Sequence, residues 1–367
     1  MRATLKTAAA VFGAAVLLAG CGGNNAPQNN AGNETNAATN ATDSAATGNS
    51  ADKLQIVASF YPMYNFASEV GGDHADVINL VPAGVEPHDW EPSAKDMAKL
   101  QEADVFVYNG GVEGWVPQAL ESAPNADRLV VEASSGIELM EGSSHSHSHG
   151  EEEDHAHEEE HEHEDDHAHE DEQAHEDEHE ADHADNHGHE DEVQDPHVWL
   201  SPALAQLQVQ AIADALAEAD PEHAADYQRN AEQYIAELEQ LDADFRNALE
   251  DAPRTEIVTQ HSAFGYLARE YGLTQLPISG LSPDQEPSPA RMAEIVELSH
   301  EHDVTTIFFE TLVDPKIAET IASEIGAETA VLNPLEGLTQ ENLDNGEDYI
   351  SVMRHNLEAL QKALTDN

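Results

Sequence analysis

The sequence predicts an α/β protein of two lobes. Each lobe has a parallel sheet of roughly four strands, and a long rigid helix joins the two. Three observations predict this. Short apolar runs rich in β-formers alternate with helical patterns, the mark of β/α units. The alternation occurs twice, over residues 54–132 and again over 256–364. Between the two lies a helical stretch with one continuous apolar face.

In the first half, residues 54–60 form the first apolar run. A helix over 62–70 is closed by Gly71-Gly72, and a strand follows over 76–81. Ser93 caps a helix reaching Glu102. A strand over 104–108, a helix over 114–122 and a strand over 128–132 complete this half. The second half repeats the plan with a strand over 256–259, a helix over 262–271, a short strand over 276–279 and a helix over 289–302. Residues 304–309 are β-branched and aromatic, hence a strand. A helix over 315–325 stops at Gly326. A strand over 329–332 and a helix over 347–364 end the chain.

Residues 202–219 read as a helix. A second helix opens with Asp220 as N-cap and Pro221 at the first helical position. Its apolar residues Tyr227, Ala231, Tyr234, Leu238, Leu241, Phe245 and Ala248 recur every three or four positions. A helix of about thirty residues spans about 45 Å, enough to brace two lobes at a fixed distance. The same pattern also suits an amphipathic surface helix. These readings divide the chain into an N-terminal lobe over 53–220, a linking helix over 221–252 and a C-terminal lobe over 253–367.

The formal net charge of the 367 residues is −60, from 74 acidic and 14 basic side chains. Such a surface repels nucleic acid and anionic lipid and attracts cations. Twenty-five of the acids lie between Glu141 and Asp195, and the others still outnumber the bases. A salt-adapted surface and an ordinary acidic secreted protein both fit this composition. The single cysteine, Cys21, excludes an intramolecular disulfide and a cysteine-rich metal site.

Arg2 and Lys6 precede an apolar stretch over residues 8–19 that is too short to span a bilayer, so residues 1–20 read as a signal peptide. Leu18-Ala19-Gly20-Cys21 resembles a bacterial lipobox, which implies cleavage before Cys21 and lipid attachment on it. Residues 22–52 are rich in Asn, Ala, Thr, Gly and Ser and read as a flexible tether. The mature protein is therefore expected outside the cytoplasm, held to a membrane by lipid, in the periplasm or on the outer face of the cell membrane. No later segment is apolar enough to span a membrane.

Residues 141–194 mix acids with fourteen histidines: His145, His147, His149, His155, His157, His161, His163, His167, His169, His175, His179, His183, His187 and His189. This run has no apolar periodicity and reads as disordered. Neutral imidazoles bind zinc, copper and nickel. The run is thus expected to collect several ions weakly, with no fixed geometry. A charge-rich solvated loop without a metal role is the plainer alternative.

Eight histidines lie elsewhere. His223, His300, His302 and His355 fall on helices or helix ends and read as solvated, and His74 falls in a turn. Three fall in loops after strands, where a β/α fold places ligands. They are His88 in Pro87-His88-Asp89-Trp90, His197 in Asp195-Pro196-His197-Val198-Trp199, and His261 in Gln260-His261-Ser262-Ala263-Phe264.

At these residues the chain resembles the metal-specific ABC transporter solute-binding proteins of the zinc and manganese class. The resemblance is carried by Val81-Pro82-Ala83-Gly84-Val85-Glu86-Pro87-His88-Asp89-Trp90-Glu91-Pro92-Ser93, by Asp195-Pro196-His197-Val198-Trp199-Leu200-Ser201-Pro202, and by His261-Ser262-Ala263-Phe264-Gly265-Tyr266. It covers residue 54 to the C-terminus. It implies two β/α lobes joined by a rigid helix, a metal ion held between them, and often a histidine-rich insertion before the second ligand. It further implies that His88 and His197 ligate from the N-terminal lobe and His261 from the C-terminal lobe. The fourth family ligand is a carboxylate in a segment like Asn333-Pro334-Leu335-Glu336-Gly337-Leu338, which points to Glu336. Some zinc carriers leave that position to water. Glu310 and Asp314 are reserve candidates, Glu310 reading otherwise as a structural acid of the cleft and Asp314 as a helix cap.

Three imidazoles and one carboxylate suit a tetrahedral borderline ion, hence Zn2+ as the bound cargo. Manganese carriers of the class usually have an acid where this chain has His261. Copper and nickel would also bind three histidines. Asp89 and Glu86 are expected to orient the imidazoles. The expected partner is an ABC-type membrane permease, served by a monomer. Two other readings compete. A metalloenzyme would need an open coordination position, and no His-Glu-x-x-His helix is present. A surface zinc buffer or adhesin would need no transporter.

Overall fold

The computed structural model describes residues 53–142 and 193–365. The signal peptide, Cys21, the tether and all fourteen histidines of the acidic run lie outside these residues.

Strand β1 (Leu54–Ala58) leads into α1 (Tyr61–Gly71) and β2 (Ala75–Asn79). Then come α2 (Ala94–Glu102), β3 (Val105–Tyr108), α3 (Val116–Ser122) and β4 (Leu129–Glu132). All pairings are parallel, in the order β2-β1-β3-β4, with Ile56 facing both Val77 and Val105 in register. The predicted cap of α2 is present as a capping box, in which Ser93 and Asp96 satisfy each other's backbone amides. Two helices follow, α4 (Pro202–Ala219) and α5 (Ala224–Leu249).

The second sheet contains β5 (Glu256–Thr259), followed by α6 (Gly265–Tyr271), β6 (Thr274–Pro277), α7 (Pro289–Glu301), β7 (Thr306–Phe309), α8 (Lys316–Ile325) and β8 (Glu328–Val331). Its order, β6-β5-β7-β8, repeats that of the first, again all parallel. A short α9 (Gln340–Asp344) and the closing α10 (Tyr349–Thr365) complete the chain. The α/β class and the two four-stranded parallel sheets are those the sequence predicts.

Several boundaries differ for physical reasons. Helix α5 starts at Ala224, not at Asp220. The Asp220 carboxylate is engaged by the His223 ring at 2.7 Å and the Tyr227 hydroxyl at 2.8 Å, and Pro221 lies in the turn before the helix. The helix has 26 residues, or about 39 Å of length. Helix α6 starts three residues later than expected, because residues 262–264 form the turn behind His261. Strand β6 is Thr274–Pro277 rather than 276–279, fixed by pairing Glu256 to Thr274 along β5. Helix α9, capped by Thr339, has no counterpart among the predicted elements.

The buried face of α5 is Tyr227, Ala231, Tyr234, Leu238, Leu241, Phe245 and Leu249. It packs along α4, α1 and α10. One continuous core joins the inner faces of both sheets to these helices, from Ile56 and Val105 to Phe308 and Leu360. Smaller clusters fill the outer faces, around Phe106 in the first sheet and Ile307 in the second. Polar groups also tie the halves together. The Trp199 indole donates to the Pro334 carbonyl at 2.8 Å, and the Tyr349 hydroxyl donates to the Trp199 carbonyl at 2.5 Å. No helix among the described residues is long and apolar enough to cross a membrane.

Candidate metal centre

In a parallel β/α sheet, side chains that follow the carboxyl ends of the strands converge on one edge. His88 follows β2, His197 follows β4, His261 follows β5 and Glu336 follows β8. The structure brings these four side chains together, with one donor atom from each lying within 4.8 Å of the other three. Oε1 of Glu336 is the focus. Nε2 of His88 lies 3.0 Å from it, Nε2 of His197 3.2 Å and Nε2 of His261 3.3 Å. A tetrahedral zinc ion with bonds of about 2.0–2.1 Å separates its donors by about 3.3 Å, and the three nitrogen-to-oxygen spacings are close to that value.

Two of the rings are fixed from behind. Nδ1 of His197 meets Oδ1 of Asp195 at 2.7 Å, and Nδ1 of His261 meets Oε1 of Glu310 at 2.6 Å. Each carboxylate also accepts the backbone amide of its own histidine, at 3.0 Å in both cases. A carboxylate on Nδ1 sets the tautomer and leaves Nε2 as the donor to a metal. Nε2 of His261 is buried and makes no well-aligned hydrogen bond, although Oε1 of Glu336 lies 3.3 Å away. A buried nitrogen held beside a carboxylate in this way suits a metal ligand.

The backbone around Glu336 is held with comparable care. Leu335 has a φ of 57°, a left-handed conformation that costs a branched residue energy. Its amide is bound by the Asn333 side chain at 2.8 Å, and Asn333 is itself bracketed by Asn356. Gly337 allows the close approach of the other lobe, since a Cβ there would lie 3.3 Å from the Val85 carbonyl.

His197, His261 and Glu336 are buried, and His88 is the half-buried edge of the group. Burial alone would push the His197 imidazole down, but hydrogen bonds and charge from Asp195 and Glu336 raise it. The His261 ring is likewise opposed by burial, yet the charges of Glu310 and Glu336 hold it well above its usual range. For Glu336, burial works upward, and the surrounding imidazoles, led by His261, hold it well below the carboxylate range. Without a metal, the site therefore favours the charged forms of Glu336 and of the His197 and His261 rings.

The sequence did not assign the ring-orienting role to Asp195 or to Glu310, which it marked only as a reserve ligand or a structural acid of the cleft. Glu86 accepts the His88 backbone amide, at 3.0–3.1 Å, rather than holding its imidazole. Burial and the Glu336 charge push Glu86 up to about 7. Asp89 stands against Asp284, whose carboxyl it pushes up, rather than behind a ligand ring. The Asp-x-His spacing of Asp195 and His197 was the available signal. Glu310 does lie in the cleft, but behind His261. Asp314 is exposed and its carboxylate accepts the Lys316 amide at 3.1 Å, but Pro315 is the N-cap of α8, so Asp314 is neither a ligand nor the helix cap. The other described histidines lie apart: His223 pairs with Asp220 at 2.7 Å, His74 with Asp226 at 3.0 Å and His302 with Glu256 at 3.4 Å.

Over residues 56–363 the chain matches the family described as zinc-uptake complex component A, periplasmic. It is 46% identical over 314 residues to the high-affinity zinc uptake system protein ZnuA of Bacillus subtilis, covering 85% of this chain and 88% of that one. To the zinc-binding lipoprotein AdcA of Streptococcus pneumoniae it is 43% identical over 314 residues, 84% of this chain, and it spans 56% of that longer protein. The Zn(II)-bound ZnuA-like domain of that AdcA superposes with a TM-score of 0.64 at 39% identity, over 85% of this chain and 99% of the domain. The laminin-binding protein Lmb of Streptococcus agalactiae, described as a bifunctional protein with adhesin and metal-transporting activity, superposes at 0.67 and 33% identity, over 85% of this chain and all of that one. These relatives are described as zinc-uptake, zinc-binding and metal-transporting proteins. The chain belongs to the zinc-uptake complex component A family of solute-binding proteins.

Proposed function

We propose that the protein captures one Zn2+ ion between its lobes and hands it to an ABC-type importer in the membrane. His88, His197, His261 and Glu336 are the ligands. The observation that carries this reading is the convergence of three Nε2 atoms on Oε1 of Glu336, at 3.0–3.3 Å. A set of three nitrogens and one oxygen favours zinc over the harder manganese ion. Four protein donors fill a tetrahedral shell and leave no open position for a hydrolytic water, unlike a catalytic zinc site.

Zinc displaces protons from the rings as it binds. The shared core and the interlobe hydrogen bonds favour small lobe movements over a wide hinge. The fourteen histidines of the acidic run raise the local zinc concentration near the cleft, and lipid on Cys21 holds the protein, a monomer, to a membrane in the periplasm or on the outer face of the cell membrane. The likeness to Lmb supports a second reading, a surface zinc protein that also acts as an adhesin. Growth of a deletion strain in zinc-depleted medium separates the two. The carrier reading expects growth restored by the unaltered chain and not by a His261→Ala variant. Equal growth with and without the protein would contradict it.

A further inference from the structure

The inserted histidine-acid run leaves and rejoins the described structure through a short antiparallel stem. Glu141 and Gln194 form its bridge. The Gly142 amide donates to the Val193 carbonyl at 2.7 Å, and the Asp195 amide donates to the Met140 carbonyl at 2.8 Å. Asp195 ends this stem, and the same residue grips the ring of His197.

By sequence the stem belongs to the N-terminal half, yet a side chain of the C-terminal half clasps it. Tyr266, in α6, sets its hydroxyl between the two stem strands. The hydroxyl accepts the Met140 amide at 2.8 Å and donates to the Asp195 carbonyl at 2.7 Å. The ring is fully buried, and burial pushes the phenol up to about 12, so at neutral pH the proton it donates stays in place. The Arg269 guanidinium lies over the ring, 5.1 Å from its centre. The preceding residue, Gly265, also matters: a Cβ there would stand 2.8 Å from Oδ2 of Asp195. Gly265 and Tyr266 therefore enclose Asp195 from the opposite lobe.

The geometry points to Tyr266 as a positioning residue for zinc retention. By clasping both stem strands across the lobe boundary it fixes Asp195, and through Asp195 it fixes the imidazole of His197. Tyr266 stands five positions beyond His261 on the same segment of the C-terminal lobe. Separation of the lobes then withdraws His261 and unclasps His197 in one movement, so two ligands loosen together. This inference rests on the reading of His88, His197, His261 and Glu336 as the zinc site.

The test is the rate of zinc release from the full mature chain into excess chelator. Loss of a group that orients a metal-bound histidine costs about 10–100-fold in affinity. Tyr266→Phe, which removes only the hydroxyl, is expected to speed release about tenfold. Asp195→Asn speeds it too, and the double variant is no faster than Asp195→Asn alone, because Tyr266 acts through Asp195. Gly265→Ala, which crowds the Asp195 carboxylate, also speeds release. Release at the unaltered rate in Tyr266→Phe, or effects of the two substitutions that multiply, would overturn the proposal. Hydrogen exchange at the Met140 amide of the unaltered protein tests the clasp without any variant. Protection that deepens on zinc loading supports it, and exchange at an open-chain rate overturns it. If the zinc-site reading itself fails, the unaltered chain holds no single tight ion that His261→Ala abolishes. If only the clasp fails, that ion is held and Tyr266→Phe leaves its release unchanged.

Discussion

Oδ1 of Asp195 binds both the ring and the backbone amide of His197, at 2.7 and 3.0 Å. One oxygen thus sets the ring's tautomer and the turn that carries it. Asp195→Asn keeps the size but loses the charge that makes Nε2 a better donor. The expected result is zinc affinity weakened about 10–100-fold, read by competition with a fluorescent chelator.

Glu310 stands to His261 as Asp195 does to His197, whereas Glu86 touches only the backbone of His88. Glu310→Gln should therefore weaken zinc binding by a factor similar to that of Asp195→Asn. Glu86 is pushed up to about 7 and is partly protonated at neutral pH, so Glu86→Gln should change affinity by less than about threefold. The same chelator competition compares them, and equal losses in both variants would show that Glu86 acts on the ring after all.

The pH response has a definite sign. His197 and His261 are raised above the ordinary imidazole value of 6.5, and zinc must expel the protons they hold. Zinc affinity should rise with pH, continue rising above 6.5, and fall more than about tenfold between pH 7.5 and 5.5. Calorimetry in buffers of different ionisation enthalpy should find more than one proton released per ion. The zinc-free protein behaves oppositely. Its raised imidazoles contribute stability at low pH that is lost as pH rises through their folded values. Its lowered Glu336 contributes stability above the ordinary 4.5 that is lost on stronger acidification. Thermal melting of the zinc-free chain should accordingly peak in mild acid, and zinc should shift the peak upward in pH.

Leu238 lies fully buried on α5, in the core common to both sheets. Leu238→Ala should cost about 3 kcal/mol. Because both halves share this core, denaturant unfolding followed by tryptophan fluorescence and by circular dichroism should give one coincident transition. Two separated transitions would show that the lobes fold independently.

Much of this was legible in the sequence because local signals and global fold agree. Strand and helix periods alternate cleanly, and the α5 apolar face is the buried face. His88, His197 and His261 sit in loops after strands, Glu336 was reached through the family resemblance, and the four meet at one edge. What was not legible depends on contacts between distant segments. Asp220 reads as a helix cap until His223 and Tyr227 claim its carboxylate. Glu86 and Asp89 look like partners of His88 because they are its neighbours in sequence, while Glu310 reaches His261 from the next strand of the folded sheet. The left-handed Leu335 that presents Glu336 has no glycine to announce it. It depends on Asn333 and Asn356, which meet only after α10 docks.

The most direct measurement is a zinc titration of the tether-free protein against a chelator of known strength, with and without residues 143–192 and with His261→Ala. The account predicts one tight site that survives removal of the histidine-acid run and is lost in His261→Ala. Only weak, multiple binding that disappears with the run would contradict it.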